Sequence, residues 1–235
     1  MTVRLPVRAD LSGRLLRRYK RFFADVALDD GGEVTVHCPN PGSMLGCAEP
    51  GSAVRCSTSD NPKRKLRHTL EMIRVGRTWV GLHTGLANAF AARVIEAGAI
   101  PELAGYPELR REVKVGDGAR LDFRLAGGPR GPAFVEVKSV TLAEGRVARF
   151  PDSVSERGRK HCATLARLRA EGSRAVQLYV VQRGDCRQVE PAEDIDPRYA
   201  EALRDAARAG VEVLAVRAKV SPTGLVFDGP LPVKL

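Results

Sequence analysis

No stretch of the chain approaches the roughly 20 apolar residues needed to cross a bilayer. The first ten residues, Met1 to Asp10, carry charges and lack the apolar region of a secretory signal, so a soluble, cytoplasmic protein is expected. No C-x-x-C pair is present, and the five cysteines (Cys38, Cys47, Cys56, Cys162, Cys186) are an odd set. Neither a disulfide framework nor a zinc ribbon is indicated. The even spacing of Cys38, Cys47 and Cys56 beside His37 is too wide for a zinc knuckle, and the thiols read as buried and inert. Internal repeats and low-complexity tracts are also missing. Acidic residues are outnumbered, with 28 Asp and Glu against 38 Lys and Arg, which gives a formal charge of +10 and a pI near 9.8. That excess suits a polyanionic partner, nucleic acid foremost. The cations are overwhelmingly arginine, and arginine with abundant alanine also fits a GC-rich genome, so charge alone does not decide.

What is present is enough chain, 235 residues and 43% hydrophobic, for two modest domains. Short apolar-alternating runs at 21–28, 33–38, 53–57, 69–75 and 78–82 are separated by turn signals such as Asp29-Asp30-Gly31-Gly32. Five such strands predict a small closed barrel of the OB type over residues 1–82, a platform for nucleic acid. Beyond Leu82 the pattern changes. Residues 88–97 read as a short helix with Asn88 as its cap and Gly98 as its stop. A strand over 109–115, a turn at 116–118 and a hairpin over 120–140 follow, then helices over 153–171 and 196–209 and buried strands over 175–182 and 211–216. The prediction is a mixed α/β sheet flanked by helices, forming a second domain over 83–235.

Two basic clusters lie in the first domain. Arg17, Arg18, Tyr19, Lys20 and Arg21, followed by Phe22 and Phe23, mix cations with rings as a surface gripping phosphate and stacking bases would. Lys63, Arg64 and Lys65 form a second. The competing reading for both is a solvated edge strand. In the loop 38–44, Pro41-Gly42 suits the centre of a type II turn, whose Gly42 and Ser43 amides would cup an anion or simply form a rigid corner.

The hairpin 120–140 carries the chemistry. Side chains two apart on a strand share a face, so Glu136 and Lys138 point together, and the hairpin brings Asp122 towards them. Glu-x-Lys alone is most often a solvated face. Two adjacent carboxylates, however, repel unless a cation joins them, and oxygen ligands of this kind suit Mg²⁺ or Mn²⁺. The pattern is that of a metal site for phosphoryl chemistry.

This arrangement of Asp and Glu-x-Lys on consecutive strands resembles the PD-(D/E)xK nuclease superfamily. The whole chain is similar to one family with that core, the sugar fermentation stimulation protein family of bacteria and archaea. The resemblance is carried by Arg18-Tyr19-Lys20-Arg21-Phe22, His37-Cys38-Pro39-Asn40, Gly42-Ser43-Met44, Glu136-Val137-Lys138-Ser139-Val140-Thr141-Leu142, Phe150-Pro151-Asp152, Lys160-His161 and Gly210-Val211-Glu212-Val213-Leu214, among other collinear stretches. It implies an OB-type domain followed by a nuclease-like domain, DNA binding, and a role in regulating sugar-utilisation genes. It also implies that Asp122, Glu136 and the main-chain carbonyl of Val137 hold Mg²⁺, with Lys138 beside the attacking water and scissile phosphate. Arg159 and Lys160 join the cations expected to grip DNA. The chain departs from the family at Arg93, where a Glu is expected on the first helix, leaving Glu96 as that helix's acid, and at Arg159, where a Gln is expected. The leading expectation is a Mg²⁺-dependent DNA nuclease without strong sequence preference. Alternatives are a non-enzymatic DNA-binding regulator with a vestigial core, and an RNA-processing factor; a homodimer is left open.

Overall fold

The structure, a computed structural model, describes residues 2–116 and 118–235; Met1, and Asp117 in the expected turn at 116–118, lie outside the described residues. The chain enters through β1 (Arg4–Pro6) and then winds β2 (Leu11–Tyr19), β3 (Phe23–Leu28), β4 (Glu33–His37), β5 (Ala53–Thr58), β6 (His68–Val75) and β7 (Thr78–Gly81). The strand order β4-β3-β2-β5-β6-β7, closed by a parallel pairing of β4 with β6 at His37 and Thr69, is the OB-type barrel expected. Alternation fills it: Leu15, Ala24, Val26, Val54, Cys56, Leu70 and Ile73 all face inward and are buried, each large aliphatic contributing about 1.5–3 kcal/mol. Gly13 lets β2 and β3 approach, because a Cβ there would lie 2.3 Å from the Ala27 carbonyl oxygen. Arginines at 14, 17 and 18 interrupt the apolar alternation of β2, which hides this central strand from a reading by periodicity.

The second domain continues with α1 (Thr84–Glu96), a 3₁₀ turn (Pro101–Leu103), β8 (Glu108–Val115), β9 (Ala119–Ala126), β10 (Ala133–Val140), β11 (Ala143–Glu144), β12 (Val147–Phe150), α2 (Glu156–Ala170), β13 (Arg174–Val181), β14 (Gln188–Pro191), α3 (Pro197–Arg208), β15 (Glu212–Ser221) and β16 (Gly224–Pro230). Its seven-stranded sheet has the order β1-β16-β15-β13-β10-β9-β8, with β10, β13 and β15 parallel. Those central strands are buried on both faces. Phe90, Ala91 and Val94 of α1 cover Val135 and Leu178 on one side. Cys162 and Leu165 of α2, with Tyr199 and Leu203 of α3, cover Tyr179 and Val181 on the other. Among the described residues no helix is long and apolar enough to cross a membrane.

Three expectations need correction. The division at 82/83 is not clean, because β1 pairs with β16 and lies on the sheet of the second domain. Three residues are too short to show a period, and their partner strand is remote in sequence. Helix α1 begins a turn before Asn88, with His83 at its N-cap and no side-chain cap, so Asn88 sits inside the helix. Helix α3 starts where expected, capped by Asp196, whose side chain accepts from the Tyr199 amide, whereas α2 starts later than the expected Ser153, its N-cap being Ser155, whose side chain accepts from the Gly158 amide.

Candidate metal centre and nucleic-acid interface

Strands β9 and β10 pair in register through Leu125–Ala133, Arg124–Phe134 and Phe123–Val135. At the next step the Asp122 side chain replaces the ladder, its Oδ2 accepting from the Val137 amide at 2.7 Å. Its Oδ1 accepts from Asn88 Nδ2 of α1 at 2.6 Å. Glu136 is 4% exposed. Its Oε1 accepts from Lys138 Nζ at 2.6 Å and from His161 Nδ1 of α2, while Oε2 is buried with no partner among the described residues. Gln177 Nε2 donates to the main-chain oxygen of Glu136 at 3.0 Å. The convergence of Asp122, Glu136 and Lys138 expected from the hairpin is therefore present.

Electrostatics separate the two carboxylates. Burial, then the charge of Glu136, pushes the Asp122 carboxyl up to about 6. Burial also opposes ionisation of Glu136, but the His161 hydrogen bond and the Lys138 charge outweigh it and hold the group below its ordinary value. No group of three His, Cys, Asp or Glu is gathered as a metal cage among the described residues. The donors offered are two carboxylates beside the main chain of Val137. This hard-oxygen set, with a buried oxygen lacking a partner, fits a divalent cation that keeps several of its waters.

The site opens into a pocket of about 430 Å³ whose walls come from both domains: Asn40 and Gly42 of the barrel loop, Thr84 and Gly85 at the start of α1, and residues 150–155 and Arg157 of the second domain. The loop is held from below. Arg18 donates to the carbonyl oxygens of Asn40 (2.9 Å), Gly42 (2.8 Å) and Ser43 (3.2 Å). Asp152 Oδ2 accepts from the Met44 amide at 2.9 Å, and the Ser43 hydroxyl donates to the Asp152 carbonyl. The expected type II turn is absent: the left-handed residue is Met44 (φ 57°), not Gly42. The anion received at this loop is the protein's own Asp152 carboxylate.

The basic residues divide by what they touch. Arg17 pairs with Asp25 at 2.7 Å and lies 4.9 Å over the Tyr19 ring, and the Tyr19 hydroxyl donates to the same carboxylate, so with Arg18 these three are tied into the barrel. Lys20 and Arg21 form an exposed left-handed turn between β2 and β3. Phe22 beside them is 44% exposed and stacks on His37 at 6.5 Å. Lys63 and Lys65 are exposed in the β5–β6 loop, where Arg64 donates to Thr69 Oγ1 at 2.9 Å. These two loops flank the binding face of an OB-type barrel.

Arg159, expected to grip DNA, instead pairs with Asp196, which is 2% exposed and caps α3, at 3.1 Å. Lys160 is exposed and pairs with Glu156 at 2.9 Å. Arg93 donates to the Arg4 carbonyl at 3.1 Å, and Glu96 is exposed at the far end of α1, about 12 Å along the axis from Asn88. Neither lines the pocket. The departures at Arg93 and Arg159 thus leave the carboxylates untouched.

Sequence reasoning missed Asn88, Asp152, Arg157 and His161 as site residues. For His161 a signal existed: Gly158, His161, Cys162, Leu165 and Leu168 form the buried stripe of α2, and a polar ring on such a stripe requires a partner.

Comparison with known proteins agrees with this architecture. The family model described as "SfsA N-terminal OB domain" matches residues 16–82, and "Sugar fermentation stimulation protein RE domain" matches 85–224. The sugar fermentation stimulation protein homolog of Maricaulis maris is 52% identical over 226 residues, 96% of either chain. That of Geobacter sulfurreducens is 52% identical over 222 residues, 94% of this chain and 95% of its own. The structure of Pyrococcus furiosus SfsA in complex with Ca²⁺ superposes with a TM-score of 0.91 at 29% identity, covering all of both chains. The chain belongs to the sugar fermentation stimulation protein family.

Proposed function

We propose that the protein is a metal-dependent nuclease that acts on DNA, with Asp122, Glu136 and the main-chain carbonyl of Val137 holding Mg²⁺ or Mn²⁺. The observation that carries the reading is the partnerless buried Oε2 of Glu136 beside an Asp122 carboxyl raised to about 6. The Ca²⁺ complex of the Pyrococcus relative supports it, since Ca²⁺ and Mg²⁺ share oxygen ligands. When bound, the ion supplies a water of lowered pKa and neutralises phosphate charge. Asn88 and the Val137 amide hold Asp122 in place. Lys138, 2.6 Å from Glu136 Oε1, sets a cation where charge builds on the scissile phosphate. Lys20, Arg21, Lys63 and Lys65 hold the backbone at the barrel, with Phe22 as a stacking face; phosphate contact and stacking confer little sequence preference. The five buried thiols, all free, fit a cytoplasmic setting, and the family name suggests an effect on sugar-utilisation genes.

The test is incubation of purified protein with single- and double-stranded DNA and Mg²⁺ or Mn²⁺. Asp122→Ala and Glu136→Ala should abolish cleavage, and Lys138→Ala should lower it by about 10²–10³. Cleavage that survives Asp122→Ala would mark a contaminant and overturn the reading.

A further inference from the structure

The ring of His161 meets polar atoms at both nitrogens. Its Nδ1 hydrogen-bonds Glu136 Oε1, and Arg157 Nε–H donates to its Nε2 at 3.4 Å. Arg157 has no acceptor to offer, so Nε2 must present a lone pair, and the ring proton therefore sits on Nδ1. The opposite tautomer would set two N–H groups against each other at one end and a lone pair against a carboxylate at the other. Lys138 Nζ lies 3.1 Å from the same Nδ1 because both groups donate to one oxygen, Oε1. Oε1 is doubly engaged, by Lys138 and by His161, and these two bonds orient the carboxylate, leaving Oε2 without a partner among the described residues.

We infer that His161 is the positioning residue of the metal site, its Nδ1–H locking Glu136 so that Oε2 faces the ion, with Arg157 selecting the tautomer that can donate. The inference rests on the metal-site reading above. His161 touches neither ion nor phosphate in this role and acts through Glu136. Arg157 lines the pocket, so the group that sets the ring's tautomer is also one that a phosphate in the pocket would meet.

The experiment is calorimetric titration of Ca²⁺, which reports binding without turnover, into wild-type protein and three variants, alongside their unfolding temperatures in EDTA. His161→Ala should weaken Ca²⁺ binding about 10- to 100-fold, the range for removing the partner that orients a ligand. Asn carries an N–H at the same bond count from Cα as His Nδ1, whereas Gln carries it one bond further out. His161→Asn should therefore stay within about threefold of wild type, and His161→Gln should lose affinity as Ala does. Should the alanine variant fail to fold, the Asn–Gln pair still separates positioning from packing. Equal affinity in wild type and His161→Ala, or equal loss in Asn and Gln, would overturn the inference while leaving the metal site standing. Wild-type protein that takes up no Ca²⁺ would remove the metal reading itself.

Discussion

At the residue scale, Asp122 carries the largest electrostatic consequence. Its folded pKa of about 6 lies above the ordinary 3.8, so the fold favours the protonated form. In the metal-free protein the resulting cost is absent below about pH 4, grows as pH rises towards 6, and is constant above that. Asp122→Asn, in which an amide oxygen still accepts from Val137, should therefore be more stable than wild type at pH 8 in EDTA, by about 2–3 kcal/mol, with the gap closing near pH 4. Urea unfolding at the two pH values checks this. Arg159 gives a second expectation. Its guanidinium serves the buried Asp196 cap, so Arg159→Ala should lower stability by about 1–3 kcal/mol and leave DNA affinity unchanged, as measured by denaturation and fluorescence anisotropy.

At the scale of elements, the hairpin was legible because Asp122 and Glu136 lie on strands with clear two-residue alternation and a Gly/Pro-rich turn between them. The barrel was legible from its turns, although β2 was not, because its arginines mask the buried Gly13 and Leu15. What sequence could not supply was which distant element meets the hairpin. Asn88 has the chemistry of a helix cap, and only the earlier start of α1 sends it to Asp122. Asp152 lies in a loop with no period at all, yet it fills the site that Gly42 and Met44 present. A Cβ on Gly42 would meet Asp152 Oδ2 at 2.6 Å. Gly42→Ala should therefore loosen the loop, costing about 1–3 kcal/mol, and raise KM for DNA while Ca²⁺ affinity stays at the wild-type value; titration and steady-state kinetics separate the two effects.

At the scale of the molecule, the barrel and the sheet domain meet over one pocket, and Lys20, Arg21, Lys63 and Lys65 are exposed in the β2–β3 and β5–β6 loops of the barrel. If Lys20, Arg21, Lys63 and Lys65 each neutralise one phosphate, the log–log dependence of affinity on salt should have a slope of at least about −3 for single strands, falling towards zero when all four become alanine. Competition with unrelated sequences should change affinity little; a flat salt slope with strong sequence preference would contradict the assignment of these cations. The strand β1 adds an order of events. Arg4 donates to the Thr223 carbonyl at 3.0 Å, 219 residues later. On the ribosome the barrel residues emerge long before β16, so the barrel can close while β1 still waits for its partner, for about 10–40 s at ordinary rates of synthesis. The sheet domain is thus closed by two strands made far apart in time, and the barrel is a loop of chain held between β1 and α1.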